Sequence, residues 1–268
     1  MNIFEITDKE FKNFQGFIYD EAGISMSDSK RQLVLNRLSK RLRHYGMSRF
    51  RDYFDLVHRP ENHHEKQMLI DLLTTNETYF FREPKHFDFI ASEMLPSFKG
   101  RSFRCWSAAC SNGAEPYSLA MVLDNKLGTG RWDMLATDIS SRMLETAKQA
   151  CYSMQEAEKV PGQLLIKYCL KGVRSQQGVM MIDKKLTRNI QFKRMNLNGS
   201  IPDSGKYDLI MLRNIMIYFD IETKKKLVED LISRLYPGGY LIIGHSETLN
   251  SVTQKLKLVK PSVYRLEP

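Results

Sequence analysis

The sequence predicts an α/β fold: a doubly wound parallel sheet carrying a small antiparallel β insertion and preceded by a small all-α domain. Three observations lead there. Up to about residue 75 the apolar residues recur at helical spacing, with almost no strand signal. From residue 100 short apolar runs alternate with helical segments, the pattern of parallel strands joined by crossover helices. Between Cys151 and Met195 that rhythm breaks, and Gly172 and Gly178 separate short runs instead.

In the first part, Ile3, Phe4, Phe11, Phe14, Phe17 and Ile18 lie three and four apart and predict an amphipathic helix. A turn follows at Glu21-Ala22-Gly23, and Asp28 or Ser29 is the expected cap of a second helix that Gly46 ends. Phe50, Tyr53, Phe54 and Val57 start a third helix, stopped near Pro60, and Met68–Leu73 predicts a fourth. Together they make a small bundle. In the second part strands are expected at Phe103–Ala109, Trp132–Thr137, Tyr207–Leu212 and Tyr240–Gly244. The helices between them are Pro116–Asn125, Ser141–Ala150 and Glu222–Leu235. Ser262–Leu266 alternates and is expected as a terminal edge strand. The antiparallel insertion, with runs at Val179–Ile182 and Ile190–Phe192, is placed at residues 158–195; an irregular helical crossover is its alternative.

With 268 residues, 42% of them apolar even without glycine, the chain can bury a sizeable core, which excludes global disorder. Lys+Arg outnumber Asp+Glu by 40 to 31, and the formal charge of +9 calls for an anionic partner: nucleic acid, an acidic membrane or an acidic protein surface. The N-terminus has no basic segment followed by an apolar core, and no apolar run approaches about 18 residues. A soluble, cytoplasmic protein without membrane insertion is expected. Cys105, Cys110, Cys151 and Cys169 form no CxxC pair, and His63-His64 has no cysteine partner, so reduced thiols and no metal are expected.

The chemistry collects at the expected carboxyl ends of the strands, where a doubly wound sheet binds its ligand. The loop Cys110-Ser-Asn-Gly-Ala-Glu-Pro116 carries one glycine, Gly113, where a dinucleotide loop would show G-x-G-x-x-G. It puts Glu115 in the first helical turn, where a carboxylate repels a pyrophosphate but accepts bonds from an ammonium group. An amino-acid moiety, carrying both a carboxylate and an ammonium, fits better; an ordinary helix start is the alternative. Asp138, ending the second strand, is placed for two ribose hydroxyls, with a helix cap as its alternative that Ser140 can take over. Arg213 and Asn214 follow a buried strand, and a continuing core strand would not use that polar pair.

Thr75-Asn-Glu-Thr-Tyr-Phe-Phe-Arg-Glu83, Cys110-Ser-Asn-Gly-Ala-Glu-Pro-Tyr-Ser118, Ala136-Thr-Asp-Ile-Ser140, Arg213-Asn-Ile-Met-Ile-Tyr-Phe219 and Gly244-His-Ser-Glu247 come in the order and spacing of one family. Over essentially its whole length the chain resembles the CheR-type chemotaxis receptor methyltransferases, which methylate glutamate side chains of bacterial chemoreceptors using S-adenosylmethionine. The resemblance implies a Rossmann-like class I methyltransferase domain over residues 76–268 and a receptor-docking role for the helical residues 1–75. The implied products are glutamate methyl esters and S-adenosylhomocysteine, made for sensory adaptation. It further implies that Asn76, Thr78, Arg82, Glu115, Asp138, Asn196, Leu197, Arg213 and Asn214 surround the cofactor. Asp138 would take the ribose, Asn196-Leu197 the adenine and Glu115 the methionine ammonium, with Arg82 and Tyr218 the catalytic candidates beside the transferring methyl. A sulfonium is an activated donor and a glutamate carboxylate is ionised near neutral pH, so this chemistry needs alignment and no general base.

From Ser29 to Arg51 there are eight Lys/Arg and no acidic residue. On a helical wheel Val34, Leu38, Leu42 and Tyr45 form one apolar sector, while Lys30, Arg37 and Arg41 form a separate stripe with Lys40 beside it. A solvated face is the alternative; the missing acids favour docking. With Arg43, these are the docking candidates for the acidic cytoplasmic helices of methyl-accepting receptors. In some relatives a β-subdomain binds the receptor's C-terminal peptide, and the loop Lys171–Gly178 extends that expectation to this insertion. A monomer with no nucleic-acid partner is expected. The alternatives are an RNA-directed methyltransferase, for which stacking aromatics are not evident, and a non-catalytic adaptor, which the intact cofactor residues oppose.

Overall fold

The computed structural model describes residues 4–267; Ile3, counted in the first amphipathic helix, lies outside them. Helix α1 (Asp8–Ala22) starts after Phe4, at a capping box in which Thr7 and Glu10 bond each other's backbone N–H, and ends at Gly23 with φ 71°. Helix α2 (Arg31–His44) grows out of a 3₁₀ turn at Asp28–Lys30, and neither Asp28 nor Ser29 caps it. The Asp28 carboxylate accepts instead from Gln15, and the Ser29 hydroxyl pairs with that of Ser27. Helices α3 (Phe50–Val57) and α4 (His63–Leu73) complete the bundle. Phe14, Ile18, Val34, Leu38, Leu42, Phe50, Tyr53 and Leu69 are fully buried in one shared core.

After a connection, Pro84 opens α5 (Pro84–Phe89), which continues through a π-helical turn at Ile90–Met94 into α6 (Leu95–Ser97). Strand–helix alternation then runs as predicted: β1 (Phe103–Ala108), α7 (Ala114–Leu127), β2 (Trp132–Asp138) and α8 (Ser141–Gln149). The irregular stretch holds β3 (Cys151–Ser153), α9 (Met154–Ala157), α10 (Gly162–Tyr168), β4 (Cys169–Lys171), β5 (Val179–Ile182) and α11 (Lys184–Thr187). Then come β6 (Ile190–Arg194), β7 (Tyr207–Leu212), α12 (Ile221–Ser233), β8 (Leu235–Ile243), β9 (Leu256–Lys260) and β10 (Val263–Leu266).

The seven-stranded sheet has the order β6-β2-β1-β7-β8-β10-β9, and β3-β5-β4 form a separate antiparallel sheet. Alternate residues of the central strands serve opposite faces. Cys105, Leu209 and Met211 pack with α7, while Trp106, Ile210 and Leu212 pack with Val228 and Leu231 of α12.

Three expectations change. The insertion starts at Cys151 and its last strand is β5; Ile190–Phe192 belongs to β6, which pairs parallel with β2 in the main sheet. The alternating tail is not an edge: β10 is flanked by β8 and by β9, and that last strand carried no recognised signal because lysines interrupt it. Finally, the strand expected from Tyr240 starts earlier, at Leu235, and takes in Pro237-Gly238-Gly239 as a bulge, where Tyr207 pairs with Leu235 and Leu209 already with Tyr240. A Cβ on Gly239 would stand 2.8 Å from the Tyr236 carbonyl oxygen, so only glycine fits there.

Candidate functional site

The chain leaves β1 towards β2 on one side and returns to β7 on the other, so a crevice opens at the carboxyl ends of β1 and β7. A cavity of about 350 Å³ occupies it. Asn76, Thr78, Arg82, Glu115, Asp138, Asn196, Leu197, Arg213, Asn214 and Tyr218 all line it. So do Ala22, Ile24, Ser25, Met26 and Lys30 from the helical part, which therefore forms one wall.

Asp138 closes β2 and is buried. Its Oδ2 accepts from the Ser111 N–H at 2.8 Å and its Oδ1 from the Ser140 N–H at 2.9 Å. The Ser140 hydroxyl caps α8, so Asp138 does not serve as that cap. Each carboxylate oxygen keeps lone-pair capacity for a further donor. Burial pushes the Asp138 carboxyl up despite these bonds.

Glu115 sits in the first turn of α7, accepting from the Ser107 hydroxyl at 2.7 Å and from Arg213 Nη1 at 2.8 Å. Burial still pushes its carboxyl up, so the ionised form has room for another cation. A ligand ammonium would supply it. Asn196 turns its Nδ2 to the Glu21 carbonyl and its Oδ1 to the Asn198 N–H, which ties the cavity rim to the end of α1. Asn76 presents its carbonyl to the Ser111 hydroxyl. Arg82 is half-buried; its Nη1 donates to the Glu77 carbonyl at 2.7 Å and its guanidinium lies 5.9 Å from the Tyr79 ring centre. The Tyr218 carbonyl accepts from the Ser25 N–H at 2.8 Å, a second tie to the helical part.

Several residues around this cavity carry left-handed backbone: Phe81, Glu83, Ala109, Ser111 and Asn214, with φ between 48° and 68°. Such conformations cost about 1–3 kcal/mol each and persist where the surroundings over-determine them. At Ser111 the result is an N–H aimed at Asp138.

Two acids that the sequence reading left without a role emerge here. Glu83 accepts from Arg213 Nη2 at 2.9 Å, from Asn214 Nδ2 at 3.2 Å and from the His245 N–H at 3.1 Å. Glu247 Oε2 accepts from the Asn214 and Gly244 N–H groups at 3.0 and 2.7 Å. Both end motifs that were visible in the sequence, T-N-E-T-Y-F-F-R-E and G-H-S-E, but their partners come from distant segments.

Among the described residues, Glu83, His86 and His245 bring ligand-type atoms within 4.8 Å of one another. His86 is buried, neither ring nitrogen makes a hydrogen bond among the described residues, and burial pushes its pKa down to about 3. The Glu83 oxygens are both engaged, one of them by a guanidinium, so a dication would meet an occupied carboxylate and a neighbouring positive charge.

The basic stripe of α2 divides. Arg37 Nη1 donates to the Leu72 and Thr74 carbonyls, both at 2.8 Å, and Arg41 makes two bonds of 2.8 and 2.6 Å to buried Glu65. These two side chains fasten α2 to α4 and its exit. Lys30, Lys40 and Arg43 are exposed. On the antiparallel sheet, Leu170 and Met181 are exposed, with Val173 beside them in the connecting loop. Gly172 is required there, since a Cβ would fall 2.0 Å from the Gln176 carbonyl oxygen.

Two family models match the chain: the CheR methyltransferase, SAM binding domain over residues 76–265, and the CheR methyltransferase, all-alpha domain over residues 9–74. The chain is 36% identical to the chemotaxis protein methyltransferase of Escherichia coli K12, covering 97% of this chain and 92% of that protein. It is 35% identical to the chemotaxis protein methyltransferase of Borreliella burgdorferi, over 97% and 95% of the two chains. With chemotaxis protein methyltransferase 2 of Pseudomonas aeruginosa it shares 35% identity over 97% and 94%.

Proposed function

The chain belongs to the CheR methyltransferase family, and from that premise we propose how its cavity carries out S-adenosylmethionine-dependent methylation of chemoreceptor glutamates. Asp138 holds the ribose hydroxyls, Asn196 and Leu197 border the adenine, and Glu115 receives the methionine ammonium. Two buried carboxylates facing one cavity, both pushed towards protonation, carry this reading, because a ligand with an ammonium and vicinal hydroxyls supplies what each lacks. The bound cofactor supplies an electrophilic methyl group.

The protein's own task is alignment. The substrate glutamate arrives already ionised, so no side chain has to take its proton. Arg82, half-buried at the cavity wall, orients that carboxylate, and Tyr218 shields it from water. Holding the acceptor in line replaces a bimolecular encounter with an ordered one, which supplies much of the rate. Lys30, Lys40 and Arg43 face the acidic receptor helices. The β3-β5-β4 sheet offers an edge for a receptor C-terminal peptide.

Transfer of labelled methyl from S-adenosylmethionine to receptor protein, in a product that alkali hydrolyses, is the expected result. Label in RNA, or alkali-stable label, would overturn it, and cofactor binding without any transfer would leave an adaptor.

A further inference from the structure

A cavity that takes a sulfonium cation is itself lined by three cationic side chains, Lys30, Arg82 and Arg213, set against three carboxylates, Glu77, Glu115 and Asp138. Arg213 is the most confined of them, its side chain 1% exposed, so water does little to screen it. Its guanidinium is shared between Glu115 at 2.8 Å and Glu83 at 2.9 Å. On the reading above, Glu115 also receives the cofactor's ammonium, and its single negative charge then faces two cations, Arg213 and the ammonium. Glu83 stands just behind the cavity lining. The Asn214 side-chain amide Nδ2 and the His245 backbone N–H hold its other oxygen, and its backbone is locked at φ 57° immediately before Pro84.

Burial works against the ionised form of Glu83, but the His245 N–H, Arg213 and Asn214 together outweigh it and keep the carboxyl below its ordinary range. His86, 3.5 Å away, stays neutral and adds no charge.

We propose that Glu83 is a charge-balancing positioning residue: from outside the cavity it neutralises Arg213, frees Glu115 for the ammonium, and so sets the preference between the cationic methyl donor and its neutral product. S-adenosylmethionine and S-adenosylhomocysteine share the adenosine, the ammonium and the carboxylate and differ by one methyl group and the unit charge it leaves on sulfur. Without the Glu83 charge, Arg213 repels the donor more than the product. The inference rests on the cofactor reading of the cavity.

Calorimetric titration of both ligands tests it. For Glu83→Gln the ratio Kd(donor)/Kd(product) should rise about tenfold, the order of effect expected when one weakly screened unit charge is removed near another. Glu83→Asp, which keeps the charge, should weaken both ligands while leaving the ratio within about twofold. Arg213→Gln should move the ratio the opposite way, towards the donor. Equal weakening of both ligands by Glu83→Gln assigns Glu83 a purely structural part and overturns the proposal, as does an unchanged ratio. Should Glu83→Gln fail to fold in a thermal scan, Arg213→Gln decides: a ratio that does not move towards the donor overturns it. Failure of the cofactor reading shows separately, as a wild-type protein that binds neither ligand.

Discussion

A carboxylate at the end of a parallel strand, held by two backbone N–H groups, has fixed direction and spare acceptor capacity, and Asp138 is in that state. Asp138→Asn should therefore raise the donor Kd by at least about tenfold, since a charge-assisted pair of hydrogen bonds is replaced by a neutral one with a misplaced donor. The ionised form is the one that accepts two hydroxyls, and burial raises the Asp138 pKa above 3.8. Affinity should accordingly decline as pH falls, starting at a higher pH than an ordinary aspartate would give, and a calorimetric pH series reads it. Arg82 differs: among the described residues its side chain has one hydrogen bond, to a carbonyl, and leaves the rest of its fork for a substrate carboxylate. Arg82→Ala should lower kcat far more than donor affinity; equal losses in both would place Arg82 on the cofactor. That Asp138 and Glu115 line the cavity was legible because topology alone puts the end of β2 and the start of α7 at the crevice. Glu83 and Glu247 were not, because what they hold is Arg213 and Asn214, brought beside them only by the closed sheet.

At the scale of the element, α2 shows what a helical wheel omits. The wheel separates apolar from charged positions, but which cation meets an acid depends on α4, and Glu65 is buried against Arg41, Tyr45 and Tyr53. Burial opposes the Glu65 charge, yet bonds from Arg41, Tyr53 and Tyr45 together prevail and lower its pKa. A carboxyl with a lowered folded pKa contributes stability above its unfolded value of 4.5 and loses it as pH falls through the folded value. Glu65→Gln should cost about 3 kcal/mol at pH 7, with the gap to wild type narrowing in acid, as denaturant titrations at several pH values would record. Docking by the exposed members is a separate matter. Lys40→Glu with Arg43→Glu should slow receptor methylation and remove part of its salt sensitivity while donor affinity stays constant. The insertion escaped a correct boundary because its strands are short, three or four residues each, too few for a period to register. Deleting Val173–Gln177 should slow methylation of a full-length receptor but spare an isolated methylation-site fragment, as tethering requires.

Across the whole molecule, the helical part does more than sit beside the sheet. The Tyr19 hydroxyl donates to Asp220 at 2.5 Å, and Asp220 in turn caps α12. Gln67 reaches the Ile139 carbonyl at 2.9 Å, next to Asp138, and Ser25 bonds the Tyr218 carbonyl. The residue pattern separated a helical first part from an alternating second part, but it carried no sign that residues 22–30 wall the cavity, since packing between the two parts leaves no local period. Given that wall, cofactor binding and docking of the two halves are one linked equilibrium: a ligand that needs both surfaces stabilises their contact, and a weaker contact lowers its affinity. Tyr19 and Gln67 do not line the cavity, so they isolate this linkage from direct contact. With each lost bond costing about 0.5–1.5 kcal/mol, Tyr19→Phe combined with Gln67→Ala removes about 1–3 kcal/mol of docking free energy and should weaken donor binding by about fivefold to a hundredfold. The same pair should reduce the rise in Tm that saturating cofactor gives the wild type. If donor affinity is unchanged in a folded double variant, the helical half is a passive platform and the cavity is complete without its docking.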